Sequence, residues 1–342
     1  MYVRRGISVQ HLFRASWRFL LVVGLWALLI VYLREFLQIK AVGLPIAPVT
    51  TIGVAVSLYL GFKNTSSYNR WWEGRRIWGD ILIASRSWAN QVSTLIYSAD
   101  RRIEPEVRRL LIQRHIAWVH ALAFQLRKRS RLKHSARTRL FDHRRVFDHH
   151  DFHQTFESYR RHIPEQEIAE MEGYANPALY LLQRQSDLLR DLAQRGYLDS
   201  WRLVQMMKML DRFQAAQGGC ERLKNTPFPR QVANFGQLFT WFFIAIMPLA
   251  FVEIFESNIQ AHQLSTLLHH EFMLTLVPFS MLISWIFFLM EKVSDSTEDP
   301  FEGGVTDVPI SALARTIEID LLQLLGDEDL PDPVEPIDGV LY

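Results

Sequence analysis

Four uncharged runs constrain this chain more than anything else in it: Phe19–Leu33, Ala41–Phe62, Gln231–Val252 and Phe272–Met290, of 15, 22, 22 and 19 residues. A helix needs roughly 20 apolar residues to cross about 30 Å of hydrocarbon. Three runs meet that length. The first is short, but Arg18 and Arg34 at its ends can carry their charged heads to the interface. It begins late and lacks a small-residue cleavage site, so it reads as a retained helix rather than a removable leader. The expectation is an all-α membrane protein with four transmembrane helices and a helical domain in water.

Charge divides the remainder. Residues 63–230 hold 30 Lys/Arg and 18 Asp/Glu, a net of +12, whereas residues 291–342 hold 2 and 14, a net of −12. Regions of equal and opposite charge are expected to meet, within one chain or between copies. Arg4, Arg5, Arg14 and Arg18 precede the first run, and Lys63, Arg70, Arg75 and Arg76 follow the second. Arg222, Lys224 and Arg230 precede the third, and Lys292 follows the fourth. The opposite connections carry only Arg34 and Lys40. By the positive-inside rule both termini and the middle domain face the cytoplasm. The expected organisation is a cytoplasmic segment 1–18, a transmembrane pair 19–62, a basic helical domain 63–230, a second pair 231–290 and an acidic cytoplasmic segment 291–342. The single Cys220 excludes an intrachain disulfide.

The middle region reads as helix, with apolar positions at helical spacing over Arg101–Leu126, Pro177–Leu192 and Leu203–Phe213. Gly218-Gly219 is expected to end the third pattern, and Pro248 and Pro278 to interrupt the third and fourth membrane helices. Gly326–Tyr342, rich in Pro, Asp and Glu, is expected to have no fold of its own, staying disordered or lying along a neighbour.

The second run carries two adjacent stripes. Gly53, Ser57 and Gly61 form a small-residue face that permits close helix approach. Val54, Leu58 and Phe62 form an apolar face of increasing bulk. In the simpler reading both stripes pack. In a symmetric oligomer the second would form three stacked rings, a hydrophobic constriction.

Three separated pieces carry a resemblance. They are Gly61-Phe62-Lys63-Asn64 with Tyr68–Arg75 and Trp78-Gly79, then Gly218–Arg222 with Asn225-Thr226-Pro227, then Glu298–Phe301 continuing through Asp307, Pro309, Arg315–Glu318 and Asp320–Leu322. Their order and placement against the apolar runs resemble the bestrophin family of ion channels, in its bacterial branch. The resemblance implies a homopentamer in the inner membrane with one central pore for small monovalent ions, chloride or other anions, or Na⁺/K⁺. It implies a pore neck made by Val54, Leu58 and Phe62 and a cytosolic aperture near Trp201. It leaves the sign of the ion open, and it implies no cofactor. The partners expected are the chain's own copies and membrane lipid.

The chain also departs from the family. Animal members carry a dense acidic Ca²⁺ clasp after the fourth helix. Here the matching segment is Asp295–Pro300, which lacks the run of consecutive acids, so no Ca²⁺ switch is expected. His143, His149, His150 and His153, with Asp142, Asp148 and Asp151, are ligand-type residues. His149, His150 and His153 are candidates for a transition metal, but their spacing matches no established site, and Arg144 and Arg145 favour a solvated insertion. His269 and His270 read as solvated residues at the outer rim, and Glu73 as a partner for Arg70 or Arg76 at helical spacing. The basic run Arg127–Lys133 lacks interleaved aromatics, so no nucleic-acid partner is expected. There is no Walker loop, GxSxG, HExxH or dinucleotide fingerprint, and no enzyme is expected. The competing reading is a non-conducting membrane scaffold or a secondary transporter. The absence of an inverted repeat argues against the transporter.

Overall fold

A computed structural model describes residues 1–3, 6, 9–39, 41–97, 105–128, 159–262 and 266–342. The described residues form ten helices: α1 Val9–Glu35, α2 Ile46–Thr94, α3 Pro105–Arg127, α4 Glu165–Glu172, α5 Pro177–Gln194, α6 Ser200–Asn225, α7 Arg230–His262, α8 Thr266–Leu274, α9 Leu276–Thr297 and α10 Ile310–Leu325. Among the described residues, four helical stretches are long and apolar enough to cross a membrane: Ser16–Glu35, Ile46–Thr94, Gln231–His262 and Leu268–Thr297. The chain is therefore a multi-pass membrane protein.

The second apolar run does not end its helix at Lys63. α2 continues unbroken for 49 residues, about 74 Å at about 1.5 Å per residue. It passes through the hydrocarbon and on for a similar distance beyond. Its one internal proline, Pro48, sits in the first turn, where a missing N–H is harmless, and its buried positions, from Val49 and Gly53 to Trp88 and Val92, keep one face covered throughout. In its first half that face packs on α7 and α9. In its second half it enters a core shared with α3, α5, α6 and α10, centred on the fully buried Trp78, Trp88 and Trp118.

Local chemistry sets several boundaries. Asn176 caps α5 by accepting from the Leu179 amide at 3.0 Å, with Pro177 at the first helical position. Gly326 closes α10 at φ 81°, a left-handed conformation that glycine adopts without steric cost. Pro248 does not interrupt α7, which runs through it. The fourth run does break, between α8 and α9 at Thr275. Pro278 lies in the first turn of α9, where its missing N–H is harmless, and its ring would crowd the carbonyl of Leu274 had the helix continued. Gly218-Gly219 does not end α6, which extends to Asn225. A Cβ at Gly219 would lie 3.0 Å from Ile77 Cδ1, so the glycine lets α6 approach α2.

The acidic segment is drawn onto the basic one within a single chain. Arg86 pairs with Asp320 at 2.7 Å, Arg109 pairs with Asp327, and Glu318 is buried between His120 and His162, at 2.9 Å from each. The tail Gly326–Tyr342 is not without structure. The Ala312 amide donates to the Tyr342 carbonyl at 2.7 Å, Tyr2 bridges Val340, and Val340 and Tyr342 are buried. Apolar Val340 and the aromatic end of Tyr342 supply the burial that a purely acidic stretch lacks. The two chain termini therefore lie together.

Candidate functional site

The covered face of α2 leaves its opposite face bare. Val54, Leu58 and Phe62 are 56 %, 61 % and 73 % exposed, at successive turns of one helix. The stripe does not stop at the membrane half. Thr65, Asn69, Trp72, Arg76, Ile83, Asn90 and Thr94 follow at helical spacing, all exposed, and Thr51 precedes it. Hydroxyls border the apolar part. Thr51 Oγ1 donates to the Ala47 carbonyl at 3.0 Å, and Ser57 Oγ to the Gly53 carbonyl at 2.8 Å. One uncovered face thus runs the length of a helix that is half in hydrocarbon and half in water.

The small-residue stripe divides within the single chain. Gly53 is buried, and a Cβ there would stand 2.9 Å from Phe243 Cε2 of α7. Gly236 of α7 makes the reciprocal approach to Tyr59, where a Cβ would stand 2.5 Å from Cε1. Ser57 and Gly61 are exposed, and a Cβ on Gly61 would meet nothing within 4 Å.

Immediately after exposed Phe62, Lys63 turns the other way. Its ammonium donates to Glu291 Oε1 at 2.6 Å and Asp295 Oδ1 at 3.1 Å, and Lys63 is 2 % exposed. The neighbouring Ser67 and Ser294 hydroxyls meet at 3.1 Å. These contacts fasten α2 to α9 at the end of the apolar stripe. The same use of charge recurs below. Arg70 donates to the carbonyls of Leu223 at 2.7 Å and Glu298 at 2.9 Å, and Lys224 to the Gln125 carbonyl at 3.1 Å. Glu73 pairs with Arg222 of α6, not with Arg70 or Arg76. Tertiary geometry won over helical spacing there. Lys63, Arg70, Arg222 and Lys224 resemble interfacial charges in sequence, but each bonds to another part of the protein, Arg222 from an exposed position. Asp295, which matches the animal Ca²⁺ clasp, faces a lysine.

Trp201 stands at the far end of α2. It is 71 % exposed, in the first turn of α6. Asp199 caps that helix, accepting from the Arg202 amide at 2.8 Å. The Arg202 guanidinium reaches the carbonyls of Leu95 at 3.0 Å and Tyr97 at 3.2 Å and lies 4.1 Å from the centre of the Tyr97 ring. Arg202 therefore fixes the tryptophan's position against the end of α2, a role with no signal in the sequence beyond its place after an N-cap.

His269 and His270 do not stand free at a rim. Both converge on Glu35 at the end of α1. Arg34 pairs with Glu256 of α7, not with the interface alone. His143, His149, His150 and His153 lie outside the described residues.

A family model described as Bacterial/Fungal Bestrophin protein matches residues 10–323. The voltage-dependent anion channel-forming protein YneE of Escherichia coli (strain K12) is 25 % identical over 317 residues, 93 % of this chain and 89 % of the relative. The voltage-dependent anion channel-forming protein RSc3414 of Ralstonia nicotianae is 27 % identical over 294 residues, 85 % of this chain and 81 % of that one. The crystal structure of a bacterial bestrophin homologue from Klebsiella pneumoniae superposes with a TM-score of 0.73 at 25 % identity, covering 91 % of this chain and 98 % of the homologue.

Proposed function

We propose a channel function for this chain, which belongs to the bacterial/fungal bestrophin family. Five copies surround one pore, and the uncovered face of each α2 lines it. Val54, Leu58 and Phe62 form three apolar rings, the neck. Trp201 forms a second constriction at the cytoplasmic exit, and Ser57 and Gly61 let neighbouring α2 helices approach. The observation that carries this reading is the continuity of the bare stripe. A face turned only to lipid has no reason to persist, in the same register, through the half of the helix that lies in water. A pore axis requires it.

The neck holds no charge, so an ion crosses it by shedding part of its hydration. Selectivity then resides in the vestibules. Arg86 is paired with Asp320. Arg76, exposed on the stripe 14 residues after Phe62, places five guanidinium groups around the axis. That ring, with the anion-channel names of the relatives, supports passage of small monovalent anions. The chain termini meet, and the Lys/Arg-rich connections support a cytoplasmic location for them at an inner membrane.

Purified protein in a planar bilayer under a KCl gradient tests this. A reversal potential near the chloride equilibrium value supports the anion reading, and one near the potassium value replaces it with cation conduction through the same neck. Silence in the parent, with the Val54→Ala, Leu58→Ala and Phe62→Ala variants also silent, would leave a non-conducting scaffold.

A further inference from the structure

At the end of the helix bundle remote from the chain termini, three ligand-type side chains meet. Glu35 is the last residue of α1, about 40 Å along the helix from its first residue. Its carboxylate is 8 % exposed and faces both histidines of α8. Oε2 lies 3.0 Å from His269 Nε2 and 2.9 Å from His270 Nδ1, and Oε1 lies 3.1 Å from His269 Nε2. One donor atom from each residue falls within 4.8 Å of the other two. The neighbouring cation, Arg34, donates its hydrogen bonds to Glu256, and its charge also attracts Glu35.

We propose that Glu35, His269 and His270 bind a divalent transition-metal ion, Zn²⁺ by its ligand preference, joining the end of α1 to α8. Two imidazoles and one carboxylate are a donor set that zinc takes with a fourth position left to water. Ligands about 2.0–2.2 Å from a tetrahedral ion stand about 3.3 Å apart. The 2.9 and 3.0 Å separations from Glu35 Oε2 need to widen by only a few tenths of an ångström. Both histidines are partly solvent-exposed, at 33 % and 49 % of their side chains, which gives the ion a route in. Without metal, the same contacts are hydrogen bonds in which imidazole N–H groups donate to the Glu35 carboxylate.

The test reads metal and is independent of conduction. Full-length protein in detergent is stripped with EDTA, equilibrated with Zn²⁺ and desalted, and zinc per chain is measured by mass spectrometry. One ion per chain is expected. Glu35→Gln should weaken zinc at least about tenfold, and H269A/H270A should abolish it. The triple variant H149A/H150A/H153A should retain the ion. No zinc on the parent chain, or full retention in Glu35→Gln, overturns the proposal, as does loss in the triple variant. Should a Glu35 or histidine variant fail to fold, anomalous scattering at the zinc edge from crystals of the parent decides. A peak between Glu35 and the two histidines supports the site, and a peak elsewhere sinks it.

Discussion

Lys63 and Glu291 are joined at 2.6 Å in the protein interior, one residue along α2 from the exposed Phe62. The side chain that ends the apolar part of the bare stripe and the one that anchors the helix are consecutive. Any shift of α9 relative to α2 is therefore felt at the Phe62 level. Removing one partner leaves a buried charge unpaired, which costs about 3–5 kcal/mol. Lys63→Met should lower the unfolding temperature sharply, and K63M/E291L should recover most of the loss. A double variant as unstable as the single one would mean that the pair does not couple the helices.

Leu58 is 61 % exposed, so Leu58→Ala should change stability by no more than about 0.5 kcal/mol. In the proposed neck it should raise single-channel current by widening the middle ring. An unchanged current with a folded pentamer would take Leu58 out of the pore.

Gly53 and Gly61 belong to the same sequence stripe but should respond differently. Gly53→Ala drives a methyl group against the buried Phe243 ring and should cost about 1–3 kcal/mol. Gly61→Ala meets open space within the chain, so any effect should fall on assembly. Cross-linking yield read beside thermal unfolding separates the two.

His115 supplies a pH dependence of calculable sign. Ser85 Oγ donates to the Ile81 carbonyl at 2.7 Å, so it accepts from His115 Nε2–H at 2.9 Å, and the ring is neutral with Nδ1 bare. The ring packs against Phe213 at 4.4 Å and Trp118 at 5.2 Å. Burial pushes its pKa down to about 3. The unfolded chain takes up a proton near pH 6.5 and the folded one does not, so this contribution is complete above about 6.5 and is lost as pH falls toward 3. About 2 kcal/mol should disappear between pH 7 and pH 5. His115→Leu should have a flatter stability profile over that interval. Parallel profiles would refute the assignment.

Arg202→Ala removes two hydrogen bonds and a ring contact at the end of α2 and should cost about 1–2 kcal/mol. Trp201→Ala should leave the unfolding temperature nearly unchanged while altering current. A large stability loss for Trp201→Ala would assign it a packing role instead.

Much of this architecture was legible in the residues. The lengths of the uncharged runs marked the four spans, since a helix must satisfy its own backbone in hydrocarbon and no cheaper solution exists. The i, i+4, i+8 spacing of Val54, Leu58 and Phe62 placed them on one face before any coordinates. Other features were invisible because their causes lie far apart in the chain. Glu73 had two arginines at helical spacing and bonds a third, Arg222. His269 and His270 read as solvated until the end of α1 was brought beside them. The acidic tail read as having no fold of its own, either disordered or lying along a neighbour, and the residues did not show that its last apolar positions return to the start of the chain.

The sequence alone determined that residues 41–62 would be an apolar membrane-spanning helix followed by a polar helical region, because composition and periodicity are properties of a segment. It did not determine which way Lys63 would point. A lysine after a hydrophobic run is equally compatible with water and with a buried carboxylate. The choice depends on whether Glu291, 228 residues away, offers its charge at hydrogen-bond distance. Only tertiary structure decides that. Lys63 turns inward because a partner waits there, and Phe62, one residue earlier, is left on the bare face.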